Sequence, residues 1–430
     1  MIIHHKPQKH KNLKWNLGGE TLDRVQTYKY LGVDLCQCVG LGSSALPFKQ
    51  HHKRVLSKAE TRLNMVKHLG MCKDGLRLPT AIKLYKLLVR PILEYAAPIL
   101  TYSKSQIQQY ERFQLKALKT LIGLQKYGTL SAAVRLLAGV EPIKSRFDYL
   151  KLKYFQKIRM MDTDRTVHKI FRYRFAEATS ALCEEVKEIL KDNAILHEHK
   201  QTSNQTLSSF ARFVKSKIMM KSYKNDCVLL SKSQSAKLFH QLIFQEGTYL
   251  NAKPQAFRFH RDKSPEIFRS WSDSIEDRKS RTGFYQALLG KHPMHFMKQR
   301  MCPYCGTSHD SVDILDHALF DCPNWQSNRQ NWIDRLEHDF LINKLPNAET
   351  NSKLINILKQ SMKPESERDC RRQIIKLVAF GGHNALNLNG SFVVTRTDFA
   401  RIKVSDILSL HTAQFLHCVH IKYLKNSQNE

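Results

Sequence analysis

Cys302-Pro303-Tyr304-Cys305 is followed by eleven residues to His317 and by four more to Cys322. This C-x2-C-x11-H-x4-C run constrains its stretch of chain more than any other feature. A paired-cysteine knuckle presents two thiolates to one point, and a helical turn can return residues five apart to that point. Three soft sulfur donors and one imidazole match tetrahedral Zn²⁺, and four protein ligands leave no open position. The expected role is structural. Gly306 supplies the turn behind the knuckle, and Leu315, Phe320 and Trp325 are expected to pack around the ion. His309 lies in the same loop and competes as a ligand. Reduced, unligated cysteines are the plainer reading of the same run.

Charge comes next. The 430 residues contain 69 Lys and Arg against 38 Asp and Glu, a formal net charge of +31. Self-repulsion of that size makes most physical sense opposite a polyanion, and nucleic acid leads the possible partners. A basic membrane-surface protein is the weaker reading. The first 160 residues hold 29 of the basic side chains and 9 of the acidic ones, so the N-terminal third carries most of the excess. The longest apolar region, Leu84 to Leu100, is interrupted by Lys86, Arg90 and Glu94. A membrane span needs roughly 20 nearly unbroken apolar residues, so none is expected. Nor does the start of the chain hold an apolar run of signal-peptide length. An intracellular location, nucleus or cytoplasm, is expected. Ten cysteines in 430 residues are too sparse for a disulfide scaffold. Cys36, Cys38, Cys72, Cys183, Cys227, Cys370 and Cys418 show no further ligand spacing.

The pattern predicts a mainly α fold with a short N-terminal β-hairpin. Gly18-Gly19 between apolar residues marks the hairpin, and a further strand is expected at Tyr28–Asp34. Leu56, Ala59, Leu63 and Val66 recur at helical spacing from about Phe48 to Leu69. A second helix begins near Thr80, with a kink or restart at Pro91. A third runs from about Ser105 to Ile122 and stops at Gly123, with Arg112, Lys116, Lys119 and its glutamines on a wet face. Together these form a three-helix bundle. Ser131 to Leu137 is helical up to Ala138-Gly139, and Pro142 opens a long basic helix through Arg159. The expected organisation is a hairpin unit (1–47), a helical bundle (48–160), a helical connection (161–280), the zinc module (281–330) and a helical tail (331–430).

Two regions are candidate nucleic-acid surfaces. Lys53, Arg54, Lys58 and Arg62 spread cations over more than one face of the first bundle helix, although a solvated helix face has the same look. His4, His5, His51 and His52 are adjacent pairs that do not share a helix face, which disfavours metal binding. Arg281-Thr282-Gly283-Phe284 with Lys298 and Arg300 would extend a basic surface towards the zinc module; ordinary loop charge is the alternative. Glu184, Glu185 and Glu188 read as a solvated acidic face.

Several segments resemble the part after the polymerase palm in non-LTR (LINE-type) retrotransposon reverse transcriptases. They are Tyr28-Lys29-Tyr30-Leu31-Gly32-Val33, Arg90-Pro91-Ile92-Leu93-Glu94-Tyr95-Ala96-Ala97-Pro98, Glu111-Arg112-Phe113-Gln114, and Leu136-Leu137-Ala138-Gly139-Val140-Glu141-Pro142. Arg281-Thr282-Gly283 with the cysteine/histidine run resembles the zinc-binding module of the same family. The resemblance covers about 1–160 and 280–326. It implies that Tyr30, Leu31 and Gly32 belong to the primer grip, that the three helices form a thumb over the template–primer duplex, and that the zinc module binds RNA or target DNA.

The family's polymerase activity needs paired carboxylates holding two Mg²⁺. This chain contains no Asp-Asp dipeptide. The resemblance therefore places the palm, fingers and Mg²⁺ upstream of Met1. The chain reads as a C-terminal remnant that binds RNA, DNA or an RNA–DNA hybrid with no catalytic residue of its own. A stand-alone zinc-dependent adaptor is the alternative. A helical enzyme centred on 162–280 lacks any acid/base or nucleophile grouping there.

Overall fold

The computed structural model describes residues 16–17, 19–21, 27–36, 48–69, 76, 78–124, 128–177, 181–195, 206–233, 236, 238–239, 278–289, 302, 305–306, 316–342, 356, 411–412 and 414–416. They are mostly helical, with two short antiparallel hairpins ahead of the first helix. The expected mainly α class is what forms. Within the described residues no helix is long and apolar enough to cross a membrane.

Strands β1 (Asn16–Leu17) and β2 (Glu20–Thr21) pair antiparallel with Leu17 opposite Glu20, the hairpin that the sequence predicts. The second β segment differs from expectation. It is not one strand over Tyr28–Asp34 but a hairpin of β3 (Thr27–Tyr30) and β4 (Val33–Cys36), with Tyr30 opposite Val33. Its two-residue loop has positive φ at both positions, Leu31 at +44° and Gly32 at +80°. That twist matches the strands it joins. Leu31 pays for it with about 1–2 kcal/mol of backbone strain, so the loop needs outside contacts. Tyr95 Oη donates to Leu31 O at 2.9 Å. The Arg54 guanidinium donates to Gly32 O at 2.5 Å and to the Asp34 carboxylate at 2.5 Å.

Helix α1 (Lys49–Leu69) buries Val55, Ala59, Leu63 and Val66 at helical spacing, with Val55 taking the place expected of Leu56. Helix α2 (Leu78–Leu84) runs into a π-helical turn at Tyr85–Val89 and then α3 (Arg90–Glu94). The Arg90 amide bonds Tyr85 O, five residues back. Pro91 has no N–H, and its ring would strike the carbonyl four residues earlier in a regular helix. The widened turn just before it is the form that the expected kink takes. Helix α4 (Lys104–Ile122) starts with a reciprocal cap. Ser103 N donates to Gln106 Oε1 at 2.9 Å and Gln106 N donates to Ser103 Oγ at 3.2 Å. Gln106 and Gln114 are buried rather than wet, and Gln114 Oε1 accepts from Tyr85 Oη at 3.2 Å. Helix α5 (Ser131–Ala138) ends at Gly139, which is left-handed at φ +58°. Helix α6 (Ile143–Arg159) follows Pro142.

The chain divides into two compact units. The first comprises Met1–Val66, Leu84–Gln114 and Pro142–Lys221; the second comprises Lys67–Lys83, Leu115–Glu141 and Ser222–Glu430. In the first, α6 packs with α7 (Thr166–Glu177), α8 (Ala181–Asp192) and the start of α9 (Leu207–Ser231). Leu152 and Phe155 meet Val186, Ile189, Phe210 and Val214, and Phe171 and Phe175 close the cluster from α7. The acidic run on α8 is not uniformly solvated. Glu184 and Glu188 are exposed, but Glu185 is paired with the Nζ of Lys151, a lysine only 1% exposed.

In the second unit, Arg281-Thr282-Gly283-Phe284 lie in helix α10 (Arg278–Leu288), not in the loop of the alternative reading. Gly283 and Phe284 are buried in it. Gly123 ends α4 at φ +88°, and a Cβ there would fall 2.5 Å from Thr282 Oγ1 on α10. Only glycine fits that close approach. Asp226 on α9 holds Arg135 on α5 through two hydrogen bonds, one of them 3.0 Å from Arg135 Nε. The second π turn (His317–Asp321) and a 3-10 turn (Pro323–Trp325) lead into α11 (Gln326–Ile342).

Candidate metal centre and basic surface

Cys302, Cys305, His317 and Cys322 converge, with one donor atom from each lying within 4.8 Å of the others. Local backbone geometry produces this. Gly306 N donates to Cys302 O at 2.8 Å, and Gly306 holds φ +69°, which closes the knuckle. Cys322 N donates to His317 O at 2.8 Å. That i to i−5 bond belongs to the π turn, so one turn of wide helix spans the x4 spacing and brings both ligands to the same side. Pro323 follows at once and starts the 3-10 turn.

The Cys302 and Cys322 sulfurs are 3.8 Å apart, and Cys305 Sγ is 3.3 Å from His317 Nε2. A tetrahedral ion with metal–sulfur bonds of about 2.3 Å has a sulfur–sulfur edge of about 3.8 Å. The donor set and its spacing thus have the geometry to hold a metal ion. Cys302, His317 and Cys322 are buried and Cys305 is half-buried. Burial, then the neighbouring Cys302, pushes the Cys322 thiol up to about 12 in the metal-free cluster. Phe320 and Trp325 are buried beside the site as expected. Leu315 and the competing ligand His309 lie outside the described residues, as do Lys298 and Arg300.

One contributor had no sequence signal. Arg329 on α11 is 8% exposed and donates to Ala318 O at 3.4 Å, next to His317. Phe415 lies 6.2 Å from Trp325 and 6.1 Å from Trp332, ring centre to ring centre. His411 Nε2 reaches Asp339 Oδ2 at 2.8 Å. The segment holding His411 and Phe415 is separated from the ligands by about ninety residues, which no local pattern can bridge.

The candidate nucleic-acid residues fall into two groups. Lys53, Lys58 and Arg62 are exposed on α1, and Tyr30 and Leu31 are exposed at the hairpin tip. Arg54 and Gly32 are committed to the hairpin itself. Arg54 is half-buried and bonded to Gly32 O and Asp34, so its first role is to fix the loop. Gly32 faces Tyr95, whose ring carbon would lie 3.1 Å from an added Cβ.

His51 and His52 are buried under this surface. His51 Nδ1 accepts from Asp34 N at 3.4 Å. His52 Nε2 lies 2.9 Å from Gln109 Oε1, which can only accept, so the ring donates there. Burial lowers both pKa values below 6.5, and Arg54 adds to the effect at His51 while Asp34 opposes it. A depressed folded-state pKa contributes stability that is present above the unfolded value and lost as pH falls through the folded value. The first unit is therefore expected to be more stable at pH 7 than at pH 5, and His52→Gln should flatten that slope. Urea unfolding midpoints across this range, followed by circular dichroism, check it; an unchanged slope in the variant would refute the assignment.

Comparison of the chain with protein-family models, with curated proteins and with solved structures finds no match.

Proposed function

We propose that this chain binds nucleic acid and that Zn²⁺ occupies its Cys302/Cys305/His317/Cys322 centre as a structural ion. The observation that carries the first part is the exposure of Lys53, Lys58 and Arg62, spread over more than one face of α1, in a chain of net charge +31. Tyr30 and Leu31 stand exposed at the hairpin tip, and Arg54 ties that hairpin to α1. The cations supply phosphate contacts, and the tip supplies an apolar edge. An RNA–DNA hybrid is the substrate class favoured by the resemblance to the thumb and primer grip of non-LTR reverse transcriptases. DNA synthesis by these residues alone is not part of the proposal, because the paired carboxylates that would hold Mg²⁺ are not among them. Bound Zn²⁺ supplies a crosslink between the knuckle and the π turn.

Affinity for an RNA–DNA hybrid, measured against salt concentration, tests the reading. Each phosphate contact removed should lower the salt slope by roughly one. Lys53→Gln, Lys58→Gln and Arg62→Gln together are expected to flatten it by about three, with the melting temperature unchanged. No binding even in dilute buffer would end the proposal. Incorporation of nucleotides in a primer-extension assay with Mg²⁺ would overturn its non-catalytic part.

A further inference from the structure

Helix α7 has two unlike faces. Phe171 and Phe175 pack into the core of the first unit, and His168 Nδ1 sits 3.1 Å from Ile158 O. At about 100° per residue the opposite face is centred on Ile170 and Tyr173. An ordinary solvated face would be polar there. Instead Ile170 is 52% exposed, Tyr173 63% and Val167 52%. Ile170 and Tyr173 are three apart, hence neighbours on the helix surface. Lys169 flanks them on one side and Arg174 on the other, and Arg172 adds a third exposed cation. Asp164 lies 3.6 Å from Lys169 Nζ, but both side chains are well exposed and solvent screens the pair.

An apolar centre with a flat ring, rimmed by cations, calls for a polyanion that also offers flat apolar faces. Duplex nucleic acid hides its bases and would set phosphates against Ile170 and Tyr173. Unpaired nucleic acid presents both backbone charge and bases, and stacking on an aromatic ring works for any base. We infer that the outer face of α7 is a contact site for single-stranded nucleic acid, with Tyr173 as the stacking platform and Lys169 and Arg174 on the phosphates. The inference rests on the nucleic-acid reading above but uses a different helix and a different form of the ligand.

The test uses the full chain and two fluorescent probes, an oligouridylate of about 20 nucleotides and an RNA–DNA hybrid of similar length, with affinities read by anisotropy. Tyr173→Ala is expected to weaken oligouridylate binding roughly tenfold, within the stacking range for one base, and to leave hybrid binding unchanged. Tyr173→Phe keeps the ring and should bind as the parent does. Lys169→Gln with Arg174→Gln should flatten the oligouridylate salt slope by about 1.4, two contacts at roughly 0.7 each. Because Tyr173 is exposed, all variants should melt at the parent temperature. If Tyr173→Ala binds oligouridylate as tightly as the parent while hybrid binding persists, this inference fails and the α1 reading stands. Binding of neither probe by the parent chain would sink both. A loss of self-association in Tyr173→Ala, with oligouridylate affinity intact, would assign the face to a protein partner and overturn the inference.

Discussion

Cys322→Ser is expected to abolish metal retention and unfold the module around it. The Cys322 side chain is fully buried, its sulfur is 3.8 Å from Cys302 Sγ, and its amide closes the π turn on His317. Serine keeps the backbone but replaces a soft thiolate with a hard, poorly ionised hydroxyl. In structural zinc sites the apparent binding free energy is about 10–16 kcal/mol, and much of it is folding free energy. The parent chain should carry one Zn²⁺, and the variant close to none. Trp325 and Trp332 are buried against this site and Phe415, so the variant's tryptophan emission should shift to the red, as should the parent's after strong chelation. Affinity should also rise with pH. Burial and Cys302 hold the metal-free Cys322 thiol near 12, so each ion that enters must displace a proton. Full zinc content in Cys322→Ser would show that the ligand set is wrong.

The metal set was legible because all of its information is local. Two short spacings, a glycine behind the knuckle and a proline after the last cysteine each act within five residues. The same holds for Gly123, Gly139 and Pro142, where a single backbone constraint sets a helix end. The hairpin at Leu31-Gly32 was not legible for the opposite reason. Tyr28 to Asp34 alternates like one strand, and what breaks it is a strained Leu31 held by Tyr95, 64 residues on, and by Arg54, 22 residues beyond Gly32. Sequence pattern reports side-chain periodicity, not distant hydrogen bonds.

The same blindness explains two misread charges. Arg54 looks like Lys53 and Lys58 in the sequence, yet it faces Asp34 and Gly32 O. A cation that fixes the loop presenting Tyr30 and Leu31 affects ligand binding through position rather than through phosphate contact. Arg54→Gln should then disturb the hairpin more than the salt slope, in contrast to Lys58→Gln. Glu185 likewise looks like Glu184 and Glu188, and only the packing of α6 on α8 separates it from them.

That packing leads to the second large effect, a loss of stability in Glu185→Ala. Lys151 is 1% exposed and Glu185 is 28% exposed, so the pair sits at the edge of the core with its cation inside. The Tyr102 ring centre is 5.8 Å from Lys151 Nζ. Burial lowers the Lys151 pKa, and Glu185 is the main group opposing that shift, with Asp148 behind it. Asp148 also accepts from Lys144 Nζ at 2.7 Å. Removing one partner of a buried pair costs about 3–5 kcal/mol, because the remaining charge is stranded. Water reaches the Glu185 side, so the expected loss is near 3 kcal/mol, the lower end of that range. The sign of the pH dependence follows from the lysine. A lysine whose pKa is depressed by folding costs stability at neutral pH, where the unfolded chain holds the proton freely, and the cost disappears as pH rises towards 10.5. Loss of Glu185 depresses it further. The gap between variant and parent should thus be widest at pH 7 and narrower at pH 9.5, by urea unfolding. Lys151→Met added to Glu185→Ala should recover most of the loss, since a methionine fills the lysine's path without a charge. A gap that stays constant with pH, or no recovery in the double variant, would mean that packing around Glu185 rather than the buried ammonium sets the stability of this bundle.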